Sequence, residues 1–185
     1  IENIKYIVWI WETWFDFHWS EKQDYEKVFI NQKIFFEKQI FLAKRYSLPL
    51  IIHSRDAKEE VLSILKENEF KNFIFHCFVE DLNYAYKAIY FSQECKISFS
   101  WIVTYKSAKE LQKVAANIPL DKIIIETDCP YLAPQEVRWS ENYPNNLKYI
   151  LKKIYELRTE NWKNESFEEI EKTIYENSLK IFGIK

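Results

Sequence analysis

Apolar and polar positions change period along this chain in a regular way. From Tyr6 to Glu12 they alternate, with Val8, Ile10 and Glu12 on one side and Trp9 and Trp11 on the other, which predicts a strand. From Asn31 to Ser47 the period lengthens, and Phe36, Ile40 and Ala43 mark the inner stripe of a helix that Pro49 stops. Leu50 to His53 is an unbroken apolar run ending in a histidine, the pattern of a strand buried on both faces. A helix carrying Val61, Leu62, Ile64 and Leu65 follows, with Asp56 and Glu59 placed to cap it.

The same alternation continues to the end. Phe73 to His76 and Lys96 to Ser100 read as strands, separated by a helix from Asp81 to Ser92 with Ala85, Ala88 and Ile89 inward. Ser107 and Glu110 have the spacing of a capping box for a helix bearing Leu111, Val114, Ala115 and Ile118, which Pro119 ends. The run Ile123-Ile124-Ile125 then breaks off into two carboxylates, Glu126 and Asp128, and a loop punctuated by Pro130 and Pro134. Helices from Asn145 to Arg158 and from Ser166 to Phe182 complete the chain, the second with a Ser166/Glu169 box and Gly183 as its stop.

Strands alternating with helices predict an α/β fold of parallel βαβ units. A closed eight-stranded barrel takes about 250 residues, so the pattern predicts a TIM (β/α)8-barrel type domain over residues 1–185 in which only the last five strand–helix units are present. A doubly wound sheet would call for a glycine-rich phosphate loop after the first strand, and none is found.

In a parallel barrel every carboxyl-terminal strand end opens on one face. Glu12, His53, His76 and Asp128 each stand at such an end, so they are expected to converge. A lone histidine at the end of an apolar run is usually an ordinary core or loop residue. Four metal-capable side chains at equivalent places form a ligand set for a divalent ion. Arg55, two residues past His53, is placed to hold a phosphate bidentately or to pair with a neighbouring carboxylate. His18 reads as a surface residue, and Cys77 and Cys129, each following a ligand, are expected to point away as inert thiols.

A net charge of -2 removes any general attraction to nucleic acid, so a polyanion has to be gripped locally, by bound metal or a basic patch. No apolar run has the length of a membrane span, and three cysteines without CxxC spacing fit a reducing, cytoplasmic setting.

Five segments in order resemble the TatD family of metal-dependent hydrolases. They are Ile10-Trp11-Glu12-Thr13-Trp14-Phe15-Asp16 against the family's I-G-E-x-G-L-D, then Leu48 to Ala57, His76-Cys77-Phe78, Ile97 to Thr104 and Ile125 to Pro134. The resemblance implies a barrel enzyme acting on ester bonds, a deoxyribonuclease or related phosphodiester hydrolase with DNA or another nucleic acid as substrate. It implies two divalent ions (Mg, Mn or Zn) in a complete site, Glu12 bridging them, His53 and His76 on the second ion, and Asp128 on the first beside the attacking water. The family's opening H-x-H strand has no counterpart here, because the chain starts three units late. Two alternatives stay open: the same barrel acting on another ester or amide such as an aminoacyl-tRNA, and an inactive partial barrel that works bound to a partner across its open sheet edges.

The composition carries a further expectation. There is one glycine and there are seven tryptophans, where average usage of roughly 7% would supply about 13 glycines. Trp9, Trp11, Trp14 and Trp101 occupy places where related proteins usually have a small residue, and Trp139 and Trp162 fall in loops where glycine is natural. Packed there, tryptophans cost roughly 1–3 kcal/mol each. The expectation is therefore that these six positions are glycine, encoded by UGA in a source that reads UGA as glycine, with Trp19 a true tryptophan. The Ile1 start and the absence of methionine likewise lead one to expect a piece of a longer reading frame.

Overall fold

The fold, taken from a computed structural model, is described for residues 7–18 and 24–184. Tyr6 and Trp19 lie outside them. The elements are β1 (Ile10–Asp16), α1 (Tyr25–Tyr46), β2 (Leu50–Arg55), α2 (Lys58–Glu67), β3 (Phe73–Phe75), α3 (Leu82–Phe91), β4 (Lys96–Phe99), α4 (Lys109–Asn117), β5 (Ile123–Ile125), α5 (Leu147–Glu160) and α6 (Phe167–Phe182). All the strands are parallel and lie side by side in the order β1-β2-β3-β4-β5. This is the arc of a (β/α) barrel, each crossover helix returning the chain to the same end of the sheet.

The main core lies between the sheet and the helices. Leu50 and Ile52 of β2, Phe73 and Phe75 of β3, and Ile97 and Phe99 of β4 point outward into it and meet the inner stripes of the helices. Burying one such side chain contributes about 1.5–3 kcal/mol. The opposite parity faces the concave side of the sheet, where Ile51, Ile74 and Ile124 pack against Ile181 from α6. His53 continues the parity of Ile51, so the strand that builds the core aims a histidine at the concave side.

Three boundaries differ from those expected. β1 begins at Ile10 and runs to Asp16, because Thr13 and Phe15, both fully buried, anchor the strand. Between Ile10 and Thr13 it advances three residues while β2 advances two, a bulge that places Glu12 inside the strand instead of at its end. α1 starts at Tyr25, six residues ahead of Asn31; its exposed Tyr25, Ile30, Phe35 and Phe41 blur the apolar stripe from which a start is read.

Two expected caps do not form. Asp56 adopts a left-handed φ of 55° and its Oδ2 faces Nδ1 of His18 at 3.3 Å, so α2 begins with no side-chain cap. Ser107 falls one residue before the N-cap position of α4, where Ala108 stands. The Ser166/Glu169 box is present, and Asp81 caps α3 by accepting from the Tyr84 amide at 2.8 Å. No helix among the described residues is long and apolar enough to cross a membrane.

Candidate metal centre

Four strands supply the polar residues of one cavity of about 640 Å³ on the concave side, β1 from its interior and the others from their ends. β1 brings Glu12, with Asp16 behind the cavity wall, β2 brings His53, the residue after β3 is His76, and the chain beyond β5 carries Glu126 and Asp128. One oxygen of Glu12 and one ring nitrogen each of His53 and His76 lie within 4.8 Å of one another. Glu12 Oε1 is 3.0 Å from His76 Nε2 and 3.8 Å from His53 Nδ1. Asp128 stands outside this triangle but beside it, its Oδ1 at 3.4 Å from His76 Nε2.

Each imidazole is held from behind. His76 Nδ1 is 2.7 Å from Glu126 Oε2, and His53 Nε2 is 3.3 Å from Asp16 Oδ2. A carboxylate accepts, so the nitrogens facing Asp16 and Glu126 carry protons, and His76, with Glu12 at its other nitrogen, carries a second one there. Asp16 is itself fixed: Oδ1 accepts from the His18 amide at 2.8 Å, and the Gln32 side chain of α1 brackets its backbone with two bonds of 2.8 Å. Imidazoles anchored by carboxylates in this way are what metal-ligating histidines require.

The electrostatics point the same way. Burial works against a charge on His76, yet its bonds to Glu12 and Glu126 and the nearby Asp128 outweigh that and raise it to about 10. Burial also works against the Glu12 charge, but the His76 bond and the two imidazoles hold it below the usual carboxylate range. Asp128 is pushed up, first by burial and then, against the pull of His76, by Glu126. Several carboxylates closing on a half-buried space make it a site for a cation, and two imidazole nitrogens with a carboxylate oxygen match a divalent ion.

The structure thus brings Glu12, His53, His76 and Asp128 into one place. Arg55 is exposed at the end of β2, in register with Asp16, and is not among the residues that line the cavity. Asp16 and Glu126 were not foreseen as site residues. The signal for Glu126 was its position two residues before Asp128, and for Asp16 its position four after Glu12.

Neither cysteine points away from the site as expected. Cys77 has a left-handed φ of 46°, which breaks the strand alternation and leaves its thiol at the site, Sγ at 3.0 Å from Ser100 Oγ. Burial, reinforced by Asp128, pushes that thiol up, so it stays protonated. Cys129 is exposed and lines the cavity.

Above the carboxylates the cavity wall is aromatic. Trp9, Trp11, Trp14 and Tyr131 line it, and Trp14 stacks on His53 with ring centroids 4.5 Å apart. The expected overpacking is absent at most of the six positions: only Trp101 is buried, while Trp139 and Trp162 are more than nine-tenths exposed. Trp162, just after α5, has a φ of 60°, the left-handed conformation in which helices commonly end on glycine.

A family model described as "TatD related DNase" matches residues 2–183. Among curated relatives, the Bacillus subtilis protein YabD, described as an uncharacterized metal-dependent hydrolase, is 39% identical over 180 residues, 96% of this chain and 66% of its own. A Mycoplasma pneumoniae protein of the same description is 36% identical over 94% of this chain and 64% of its own. This chain therefore spans a little under two-thirds of the curated relatives it matches. Among solved structures, the TatD homolog YJJV of Escherichia coli superposes with a TM-score of 0.83 at 26% identity, over 97% of this chain and 65% of that one. A TatD family hydrolase of Entamoeba histolytica gives 0.78 at 20% identity, a likeness of fold.

Proposed function

The chain belongs to the TatD-related DNase family, and from that premise we propose that it is a metal-dependent hydrolase cleaving phosphodiester bonds, with DNA as the substrate. The observation that carries this reading is the pair of imidazoles, each anchored by a carboxylate and each turned toward Glu12. Glu12, His53, His76 and Asp128 are the ligands, with Glu12 the carboxylate that two ions would share and Mg, Mn or Zn the candidates. Bound divalent ions would act as Lewis acids and lower the pKa of an attacking water.

The chain's own residues do the rest. Glu12, Glu126, Asp128 and Asp16 would repel a phosphodiester, so substrate binding presupposes a cation in the cavity. Asp128, at the cavity wall and beside His76, is placed to orient or deprotonate the attacking water. Arg55, exposed on the same strand as His53, would hold a neighbouring phosphate of a polymeric substrate rather than the one being cleaved. A cytoplasmic enzyme is the fitting setting.

The experiment is hydrolysis of single- and double-stranded DNA, RNA, a small ester and an aminoacyl-tRNA, with Mn²⁺, Mg²⁺ or Zn²⁺ and with chelator. Chelator-sensitive cleavage of DNA is expected; cleavage of the ester or aminoacyl-tRNA alone would transfer the site to another substrate. A second reading has one observation of its own. Among the described residues β1 and β5 are the ends of the strand order, and beside Glu12 and Trp14 of β1 lies a groove lined by the exposed Phe35 of α1. An open edge with the exposed Phe35 beside it fits a partner-bound partial barrel. Sedimentation as a monomer with chelator-sensitive nuclease activity would exclude it.

A further inference from the structure

Glu126 uses both of its carboxylate oxygens. Oε2 lies 2.7 Å from His76 Nδ1, and Oε1 accepts from the backbone amide of Cys77. The residue reaches these partners from the end of β5, with its own amide donating to the Phe99 carbonyl of β4 at 3.1 Å. His76 in turn donates its amide to Ile52 of β2 at 2.9 Å, and Phe78 donates to Ser98 of β4 at 3.0 Å. One side chain thereby ties the turn after β3 to β5, across β4.

The turn needs that tie. Cys77 sits at a φ of 46°, a left-handed conformation that is strained for a non-glycine residue. Its amide, directed away from the strand ladder, would be left without an acceptor if Glu126 were absent. A donor left unmet in this partly buried turn would destabilise it further. The conformation of Cys77 and the ring of His76 are therefore set by the same two oxygens.

We infer that Glu126 is the positioning residue of the centre: by accepting from His76 Nδ1 and the Cys77 amide together, it holds the imidazole so that Nε2 faces Glu12 as a ligand. This rests on the reading of the cavity as a metal centre. Glu126 acts through His76, a role distinct from that of Asp128, which lies on the Nε2 side of the ring. A glutamine at 126 offers one acceptor to two donors. Either the Cys77 amide loses its partner or the glutamine NH₂ turns to Nδ1, which favours the Nε2-protonated ring that cannot bind metal.

The test is calorimetric titration of the chain with Zn²⁺, together with nitrogen NMR of the histidine rings in the zinc-loaded protein, for wild type, Glu126→Gln and Glu126→Asp. In the wild type, His76 is expected to be protonated at Nδ1 with Nε2 on zinc. Glu126→Gln is expected to weaken zinc binding about 10- to 100-fold, the usual effect of losing a ligand's outer partner, and to bring in signal from the Nε2-protonated ring. Glu126→Asp keeps both oxygens and is expected to recover the wild-type ring signature; it carries the test if the glutamine variant does not fold. Unchanged affinity and ring signals in Glu126→Gln would overturn the inference. So would weakened zinc binding in which, at saturating zinc, His76 is still protonated at Nδ1 and bound through Nε2, which would make Glu126 a ligand. Failure of the wild type to bind zinc would instead defeat the metal-centre reading itself.

Discussion

On the floor of the cavity Glu12, His53, His76 and Glu126, with Asp16 behind His53, each lie against at least one other member of the group; His76 is held on both nitrogens, and His53 by Asp16 with Glu12 3.8 Å from its other nitrogen. At the rim, Trp11 and Trp14 are 61% and 55% exposed, and Trp14 reaches the floor by stacking on His53. The floor is determined by charge-assisted bonds whose loss leaves a buried group unmet. The rim is apolar surface turned to water, where a residue can be exchanged at little cost. Function is therefore expected to be sensitive at the floor and tolerant at the rim.

The largest effect belongs to the floor. Glu12→Ala or His76→Ala is expected to lower hydrolysis by more than about a hundredfold, beyond the loss of an outer partner, and to abolish zinc binding by calorimetry. Retention of full activity would remove these residues from the centre.

The next effect is on stability. Without metal, folded His76 keeps its proton to about 10, whereas an unfolded histidine releases it near 6.5. A group raised in the folded state stabilises fully below its unfolded value and ceases to as pH climbs through the folded one. The melting temperature of the chelated chain should fall by several degrees from pH 6.5 to 10, at roughly 2–4 °C per kcal/mol for this size. Zinc should flatten that slope, since the ion takes the proton's place.

Smaller effects belong to the tryptophans. Trp162→Gly removes a left-handed strain of about 1–2 kcal/mol from an exposed position and should raise the melting temperature by a few degrees. Trp14→Gly loses a stacking contact worth about 0.5–1.5 kcal/mol, so zinc affinity should change by less than about tenfold. A larger loss would make the rim part of the centre. Sequencing the coding DNA bears on both variants: UGA at Trp9, Trp11, Trp14, Trp101, Trp139 and Trp162 would make glycine the working residue, and UGG would end that idea.

Much of the fold was legible because helix and strand impose different periods, and the inner stripes around Phe36, Val61, Ala85 and Val114 packed where their spacing placed them. β1 was misplaced because a bulge between Ile10 and Thr13 resets its alternation, and a bulge leaves no mark in composition. Ser107 and Asp56 have capping spacing but not capping geometry; His18, 38 residues away in sequence, faces Asp56 instead. At the site, His53, His76 and Asp128 stood out because each follows an apolar run. Asp16 and Glu126 did not, because their work is to hold another side chain, and that depends on which strands are neighbours. Cys77 was misread for a related reason, since its left-handed backbone is imposed by contacts from β5.

The most direct test of the account is titration of the metal-free 185-residue chain with Zn²⁺ by calorimetry, in parallel with Glu12→Gln. The account predicts saturable binding with proton release in the wild type, because zinc displaces the proton on His76, and loss of both in the variant. Equal heats from the two proteins, or no saturable binding in the wild type, would contradict it.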